Sequence, residues 1–221
     1  MATPTEVARL LVIRHGRTAW NAEDRAQGHA DISLDEVGRT QAETMARWLA
    51  QLHPDRLWSS DLARARETAA FLEKETGLTA VEDARLRELD LGERTGLTRA
   101  EFAEKLGDGA PEPWDVHAHV MVPGAETLQQ VLDRIAPALT EALDALAPGE
   151  TGVVVTHGAA LRVALTGLLG WPLDAHATLD AMHNCAWATV VRREGGPARL
   201  AGYNQVVPGT HPDWPSRTGV G

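Results

Sequence analysis

Apolar residues along the chain fall into short continuous runs and longer stretches with helical spacing. Continuous runs at residues 9–13 and 152–156 predict two strands that are buried on both faces, because such strands carry no polar alternation. Shorter apolar segments predict three further strands, at 57–59, 186–191 and 199–203. Apolar positions three and four residues apart predict the intervening helices, over 36–52, 62–76, 98–107, 127–147 and 159–169.

Residues that cap or interrupt helices refine these predictions. Ser33 and Glu36 predict a capping box at the start of the first helix. Gly77 is placed to end the second helix in a left-handed conformation. The expected cap at the start of that helix is Ser59, Ser60 or Asp61. Pro137 is expected to kink the long helix over residues 127–147, because proline lacks the N–H that the helix needs.

The alternation of strands and helices predicts a three-layer α/β/α fold with a mostly parallel sheet. In such sheets, ligands bind beyond the carboxyl ends of the strands. His15 and His157 each follow a predicted buried strand directly, and each precedes a glycine. A glycine allows backbone to approach a ligand closely. We therefore expect the functional site to lie where these two strands end.

Charge and cysteine content exclude several classes of function. The chain carries a formal net charge of −10, with 43% apolar and 24% charged residues, which is ordinary for a single globular domain. An acidic surface repels nucleic acid and anionic membranes, so neither is expected as a partner. The one cysteine, Cys185, cannot form a disulfide within the chain. With no apolar leader and no long apolar run, the expected location is cytoplasmic.

Four side chains that follow the predicted strands suit one chemical task. Arg14 and His15 leave the first strand, Arg64 begins the helix after the second, and His157 leaves the strand at 152–156. Arginine binds two phosphate oxygens at once, and an unprotonated imidazole can attack phosphorus. Phosphoryl transfer requires mainly alignment and charge neutralisation, which two arginines and a cationic His157 can supply. Glu88, on a segment predicted to be extended over 86–91, is the candidate general acid.

Taken singly, each of these residues has an ordinary structural interpretation. A histidine after a strand is usually structural, and Arg64 lies in an arginine-rich helix where a solvated charge is the default. His117 and His119, near Asp115, could suggest a metal site. Two histidines without further ligands of suitable spacing argue weakly for one, and no metal site is predicted.

Together, the motifs resemble the histidine phosphatase superfamily, which is also called phosphoglycerate mutase-like. The first motif is Leu11-Val12-Ile13-Arg14-His15-Gly16-Arg17-Thr18-Ala19-Trp20-Asn21. The resemblance continues, in the family's order, through Gln27-Gly28, Leu34 to Ala42, Ser59 to Ala65, Leu86-Arg87-Glu88 and Thr156-His157-Gly158. It therefore covers about residues 10–170.

The resemblance implies a mechanism and a set of roles. His15 becomes a phosphohistidine, and Glu88 protonates the leaving oxygen and then activates water. The residues implied to hold the phosphoryl group are Arg14, Arg64, Asn21, Gln27, His157 and Gly158. The family uses no metal and no organic cofactor, and its members commonly dimerise. Its fold is a mixed sheet, and the resemblance places a lid-like insertion at about 91–126 within one domain spanning 1–221, before a surface tail at about 207–221.

The choice between a phosphatase and a mutase depends on charge in the insertion. Between Asp108 and Glu126 the chain has no lysine or arginine. A mutase must retain a strongly anionic substrate between two transfers, and this stretch offers it no counter-charge. Hydrolysis is therefore the expected reaction. Phosphoglycerate mutase, α-ribazole phosphatase, a broad-range phosphomonoesterase and a non-enzymatic scaffold are the alternatives, although a scaffold would have lost catalytic residues and none is lost here.

A finer resemblance is to an actinobacterial branch of the family whose substrate is glucosyl-3-phosphoglycerate. It rests on Thr76-Gly77-Leu78, Leu89 to Gly92, Gly96-Leu97-Thr98, Asn184 to Trp187 and Tyr203-Asn204. The expected partner is thus a small phosphomonoester, such as a sugar or glycerate phosphate. Trp114, His117 and His119 are the candidates to contact a sugar ring, while packing is an equally good interpretation of Trp114.

Overall fold

The computed structural model describes residues 7–107 and 122–208. Within these ranges it contains one six-stranded sheet. The strands are β1 (Ala8–Arg14), β2 (Arg56–Ser59), β3 (Val81–Glu82), β4 (Thr151–Thr156), β5 (Trp187–Arg192) and β6 (Arg199–Gln205). The α-helices are α1 (Ala19–Ala22), α2 (Glu36–Ala50), α3 (Ala63–Thr76), α4 (Arg99–Leu106), α5 (Leu128–Asp144) and α6 (Gly158–Leu169). Short 3₁₀ helices cover Ala84–Leu86, Gly92–Arg94 and Leu173–Thr178.

The sheet has the order β3-β2-β4-β1-β5-β6. The first four of these strands are parallel, and β5 and β6 run antiparallel to their neighbours. This arrangement confirms the predicted mostly parallel, mixed sheet. The two runs predicted to be fully buried, β1 and β4, are adjacent central strands in which Arg14 pairs with Thr156. Their carboxyl ends therefore lie side by side.

Helices cover both faces of the sheet and give it two apolar cores. Leu10 and Val12 of β1 belong to the cluster that contains α5 and α6. Leu11 and Ile13 belong to the other cluster, which contains α2 and α3. Alternate residues of a strand point to opposite faces, so one apolar run supplies both cores. This arrangement confirms the predicted three layers.

The observed caps at the starts of α2 and α3 differ from the predicted ones. Asp35, and not Ser33, caps α2: its carboxylate accepts a hydrogen bond from the Gly38 backbone N–H at 2.7 Å. The cap position of α3 is Leu62, which has no capping side chain. A residue distant in sequence caps the first N–H group of the helix instead: the N–H of Ala63 donates to Asp31 Oδ1 at 2.6 Å. Gly77 ends α3 in the left-handed conformation as predicted, with φ at 74°.

Other differences from the sequence predictions are local. The chain also forms β3, a two-residue exposed edge strand, and the four-residue helix α1, neither of which has enough residues for a periodic signal. The segment predicted to be extended begins instead with the last residue of a 3₁₀ helix, Leu86. Helix α5 continues through Pro137 to Asp144. In the part of the chain that the structure describes, no helix combines the length and apolar character that a membrane crossing requires.

A close backbone approach joins α2 to the loop that follows β1. A Cβ on Gly38 would lie 2.0 Å from the carbonyl oxygen of Arg17, and one on Gly16 would lie 2.7 Å from the carbonyl oxygen of Gly38. Real Cβ contacts are never so short, so one segment would have to move. Only glycine at both positions allows this packing, which holds the loop after His15 against the helix.

We expect Gly38→Ala to lower the free energy of unfolding by about 1–3 kcal/mol, the usual cost of overpacking a rigid site. Denaturant unfolding followed by circular dichroism measures the change. Thr40→Ala, an exposed site on the same helix, is the matched control and should change stability by less than about 0.5 kcal/mol. Equal stability of Gly38→Ala and the wild type would contradict this account of the loop.

Candidate active site

His15 and His157 follow the adjacent parallel strands β1 and β4, as expected. The His15 N–H donates to the carbonyl of Thr156 at 3.0 Å, which continues the ladder by one residue. The two imidazole rings lie with their centroids 5.2 Å apart. Both histidines are almost completely buried. The strand order therefore brings together in one site two histidines that are more than 140 residues apart in sequence.

The ring of His15 is held in one tautomer. Its Nδ1 lies 2.7 Å from the carbonyl oxygen of Gly16, so Nδ1 carries the proton and donates it. The lone pair is then on Nε2. Burial, followed by the charges of Arg64 and Arg14, holds the pKa of His15 well below its usual value of 6.5. The ring is therefore neutral at physiological pH, and Nε2 is available as a nucleophile.

Arg64 is completely buried and is oriented by three contacts. Its two terminal nitrogens donate to the carbonyls of Ala30 and Gly28, both at 2.8 Å, and Nε donates to Nδ1 of His157 at 3.1 Å. Burial lowers the pKa of Arg64 to about 10, so the guanidinium stays charged at neutral pH. The alternative that Arg64 is a solvated surface charge is wrong.

His157 differs from the expectation in its charge. Because Arg64 Nε–H can only donate, Nδ1 of His157 accepts, and the ring proton is on Nε2, 2.9 Å from the hydroxyl oxygen of Ser60. Burial, with Arg64 as the next cause, holds the pKa of His157 well below 6.5. The expected cationic form is therefore wrong for this arrangement. A neutral His157 orients Arg64.

Arg14 and Gly158 pack against each other at the end of the sheet. A terminal nitrogen of Arg14 donates to the carbonyl of Met182. A Cβ at Gly158 would lie 3.3 Å from Arg14 Nε, so the glycine lets the start of α6 approach this side chain. Gly158 therefore positions Arg14 and the helix N-terminus.

Glu88 lies at the same helix N-terminus. Its carboxylate accepts hydrogen bonds from the backbone N–H groups of Ala159 at 3.2 Å and Ala160 at 2.8 Å, and from its own neighbour Leu89 at 2.9 Å. The positive end of the helix dipole favours a carboxylate at this position. These three N–H donors thus fix the orientation of the Glu88 side chain.

Asn21 and Gln27 are joined through Thr18. The Oδ1 atom of Asn21 accepts from the backbone N–H of Thr18 at 3.1 Å in the capping box of α1, and the Thr18 hydroxyl donates to Gln27 Oε1 at 3.0 Å. Since both side-chain oxygens accept within the protein, the amide NH₂ groups are the parts that can donate to an anion.

Most of these side chains surround one cavity of about 160 Å³, whereas His157 and Gly158 are not part of its lining. Its lining consists of Arg14, His15, Asn21, Arg25, Gln27, Gly28, Arg64, Glu88, Leu89, Leu91 and Ala159. A larger cavity of about 690 Å³ adjoins it and shares Arg14, Asn21 and Arg25, but His15 and Glu88 line only the smaller one. The smaller cavity therefore contains the reactive groups.

Sequence reasoning missed several residues that hold this site. Asn184 Nδ2 donates to the carbonyl of His15 at 3.0 Å. The Thr68 hydroxyl accepts from the Gly16 N–H at 3.0 Å and donates to the Arg64 carbonyl at 2.7 Å. No local pattern marks the contacts of Asn184 with His15 and of Thr68 with Gly16, because these partners are far apart in sequence.

Three predicted substrate-binding residues, Trp114, His117 and His119, lie outside the described residues, as does the part of the predicted insertion at 108–121. Asp115, the third member of the alternative metal cluster, also lies outside them. Across residues 7–107 and 122–208, no group of three or more histidine, cysteine or acidic side chains is arranged to hold a metal ion. Cys185 is buried, which raises the pKa of its thiol to about 12 and disfavours the reactive thiolate at neutral pH.

Residues 10–205 match the sequence model described as "Histidine phosphatase superfamily (branch 1)". The chain is 36% identical over 204 residues to a glucosyl-3-phosphoglycerate phosphatase from Mycolicibacterium vanbaalenii, covering 88% of this chain and 90% of the relative. It is also 36% identical to a Cronobacter sakazakii protein named "Probable phosphoglycerate mutase GpmB", over 82% and 84% of the two chains.

Solved structures agree with the sequence relatives. A mycobacterial glucosyl-3-phosphoglycerate phosphatase in complex with VO₃ superposes with a TM-score of 0.81 at 35% identity, covering 89% of this chain and 98% of that one. A second structure, titled "Mycobacterial hydrolase 1", superposes with a TM-score of 0.83 at 34% identity, covering 91% and 100% of the two chains.

Proposed function

Because the chain belongs to the histidine phosphatase superfamily, we propose that it hydrolyses a small phosphomonoester through a phosphohistidine on His15. The observation that carries the proposal is the bond between His15 Nδ1 and the Gly16 carbonyl. It leaves Nε2 unprotonated in a cavity that also contains Arg14, Arg64 and Glu88. A neutral nucleophile, two cations and a carboxyl group are the groups that this reaction requires.

The reaction proceeds in two displacements. His15 Nε2 attacks phosphorus, the bond from phosphorus to the substrate oxygen breaks, and Glu88 donates a proton to the departing alcohol. Water then attacks the phosphohistidine and gives a proton to Glu88. The bond from phosphorus to nitrogen breaks, and inorganic phosphate leaves. His15 and Glu88 are thereby restored.

The remaining residues bind and orient. Arg14 and Arg64 neutralise the equatorial oxygens of the phosphoryl group, and Asn21 and Gln27 donate amide N–H bonds to it. Gly158 permits the close packing of Arg14 on α6. His157 acts by aligning Arg64 through the 3.1 Å contact.

We propose glucosyl-3-phosphoglycerate, or a related sugar or glycerate phosphate, as the substrate. The relatives that carry this activity in their names support it. The absence of lysine and arginine between residues 108 and 126 supports hydrolysis over mutase action. Trp114, His117 and His119 remain sequence-based candidates for contact with the sugar, and α-ribazole phosphate is the alternative substrate.

A comparison of two substrates tests this assignment. Glucosyl-3-phosphoglycerate should release phosphate rapidly. 3-Phosphoglycerate primed with 2,3-bisphosphoglycerate should release it slowly and give little 2-phosphoglycerate. Trp114→Ala should raise the KM for the glucosylated substrate more than that for p-nitrophenyl phosphate. Rapid interconversion of the two phosphoglycerates would replace the phosphatase assignment by the mutase one.

The proposed reaction needs no metal ion and no organic cofactor, because Arg14 and Arg64 supply positive charge at the phosphoryl group. We expect activity in excess chelator to stay within about twofold of the untreated enzyme. Vanadate, which can take the five-coordinate geometry of the transition state, should inhibit. Loss of activity on chelation, restored by one divalent ion, would instead support a metal site that includes His117 and His119.

The location and the partners of the enzyme are further proposals. We propose a cytoplasmic enzyme that forms a homodimer, as members of its family commonly do. We propose no nucleic-acid or membrane partner, because a net charge of −10 repels polyanions and anionic membranes. Size-exclusion chromatography with light scattering measures the oligomeric state.

A further inference from the structure

Arg134, on α5, uses all five of its N–H groups within the protein. Nε and one terminal nitrogen bind both carboxylate oxygens of Glu126, at 2.8 and 2.7 Å. The remaining donors reach backbone carbonyls, those of Arg85 at 2.9 Å, Arg87 at 2.8 Å and Glu88 at 2.8 Å. A guanidinium with every donor bonded has one geometry. Arg134 therefore fixes whatever backbone it touches.

The three carbonyls trace the segment that leads into Glu88. Leu86 ends a 3₁₀ helix, and residues 87–90 belong to no helix or strand. Their backbone groups thus have no regular ladder that would place them. Arg134 holds the segment instead. Its N–H groups bind the carbonyls of Arg87 and Glu88 within the segment, and the carbonyl of Arg85 before it.

Two further contacts complete the support around Glu88. Glu126, which Arg134 orients, accepts from the N–H of Asp90 at 2.9 Å. His29 Nε2 lies 2.8 Å from the Glu88 carbonyl oxygen, between two residues whose carbonyls bind Arg64. The backbone of Glu88 is therefore held from the α5 side and from the loop that binds Arg64.

We propose that Arg134 is a positioning residue for Glu88 and that it acts on proton transfer to the leaving oxygen. This inference rests on the proposed function, because it assumes that Glu88 is the general acid. A displacement of about 1 Å in a catalytic group can cost on the order of 10²-fold in rate. Lysine at position 134 would keep the charge but could not bind two carboxylate oxygens and three carbonyls at once.

Arg85 provides a matched control. It joins the 3₁₀ helix Ala84–Leu86, which precedes this segment, to α5 through bonds to Glu141 at 2.9 and 2.7 Å, and it also binds Asp83 at 2.7 Å. Its guanidinium is partly exposed, and its contacts lie before the segment that carries Glu88. Arg85→Lys therefore perturbs the same pair of elements without loosening the backbone of Glu88.

The test measures kcat and KM on p-nitrophenyl phosphate, phenyl phosphate and glycerol phosphate, whose leaving groups become progressively poorer. Arg134→Lys should lower kcat/KM, which reports the step that breaks the bond to the leaving group, at least tenfold more on glycerol phosphate than on p-nitrophenyl phosphate. Arg85→Lys should leave kcat/KM unchanged on both substrates. In a Glu88→Gln background, Arg134→Lys should add less than threefold, because its effect passes through Glu88.

Thermal melting of each variant checks folding, and Glu126→Gln is the milder variant if Arg134→Lys does not fold. Equal losses on all three substrates, or full additivity with Glu88→Gln, would overturn the positioning role and leave the proposed function intact. If Glu88→Gln itself shows no dependence on the leaving group, the acid role of Glu88 fails, and the inference fails with it.

Discussion

His15→Ala is expected to lower kcat by on the order of 10⁴-fold or more, whichever phosphomonoester is used, because the step that forms the intermediate has no other nucleophile. Across the described residues that line the small cavity, His15 is the one imidazole. The same variant should also fail to accumulate an acid-labile, alkali-stable phosphoprotein after incubation with labelled substrate. Rapid-quench trapping of the wild type supplies the positive reference.

His176 is the matched control for that substitution. It is also a buried histidine, and its Nδ1 lies 2.7 Å from a backbone carbonyl, that of Leu173, as His15 Nδ1 lies 2.7 Å from Gly16. It differs from His15 in lying in the 3₁₀ helix Leu173–Thr178, outside the cavity. His176→Ala should keep near-wild-type turnover. Substantial turnover by a folded His15→Ala variant would remove the phosphohistidine mechanism.

Glu88→Gln should have the second largest effect, and its size should depend on the substrate. General acid catalysis contributes roughly 10²–10⁴-fold when the leaving group needs a proton. The value of kcat/KM reports the step that breaks the bond to the leaving group and not the later attack of water. It should fall in that range for an alkyl phosphate such as glycerol phosphate and much less for p-nitrophenyl phosphate, whose leaving group departs as the anion. Glutamine keeps the size of the side chain, and its one oxygen can still accept from the N–H of Ala160 at the start of α6.

Glu93→Gln controls for the loss of a negative charge from the same part of the chain. Glu93 is half-exposed and pairs with Lys105 at 2.8 Å, away from the cavity lining, so its substitution should leave both substrates unaffected. Equal losses of kcat/KM on the alkyl and aryl phosphates in Glu88→Gln would show that Glu88 does not transfer a proton to the leaving oxygen.

The order of the main elements could be predicted from sequence because the signals for it are local. Fully apolar runs marked β1 and β4, and helical spacing marked α2, α3, α5 and α6. Capping chemistry marked Gly77 as the end of α3. Each of these features depends on residues within a few positions of one another. Short elements such as β3 and α1 escaped because two to four residues carry no period.

The candidate site was predictable to the extent that motifs place residues at strand ends. Two buried strands that each end in a histidine and a glycine indicated where the site lies, and the wider set of motifs named Arg64 and Glu88. The structure brings Arg14, His15, Asn21, Gln27, Arg64 and Glu88 to one cavity. It places His157 against Arg64 and Ser60, an arrangement that no sequence spacing contains.

The protonation state of His157 and the contacts that hold Glu88 in place depend on the tertiary structure. Residue types limit which side chains can act as nucleophile, acid or cation, because each role needs a particular chemical group. The neutral state of His157 follows from its burial and from Arg64 Nε–H pointing at Nδ1. The role of Arg134 follows from a helix packing its guanidinium against carbonyls more than 45 residues away in sequence. Hydrogen-bond direction and desolvation depend on which groups meet in space, and only the folded chain brings those groups together.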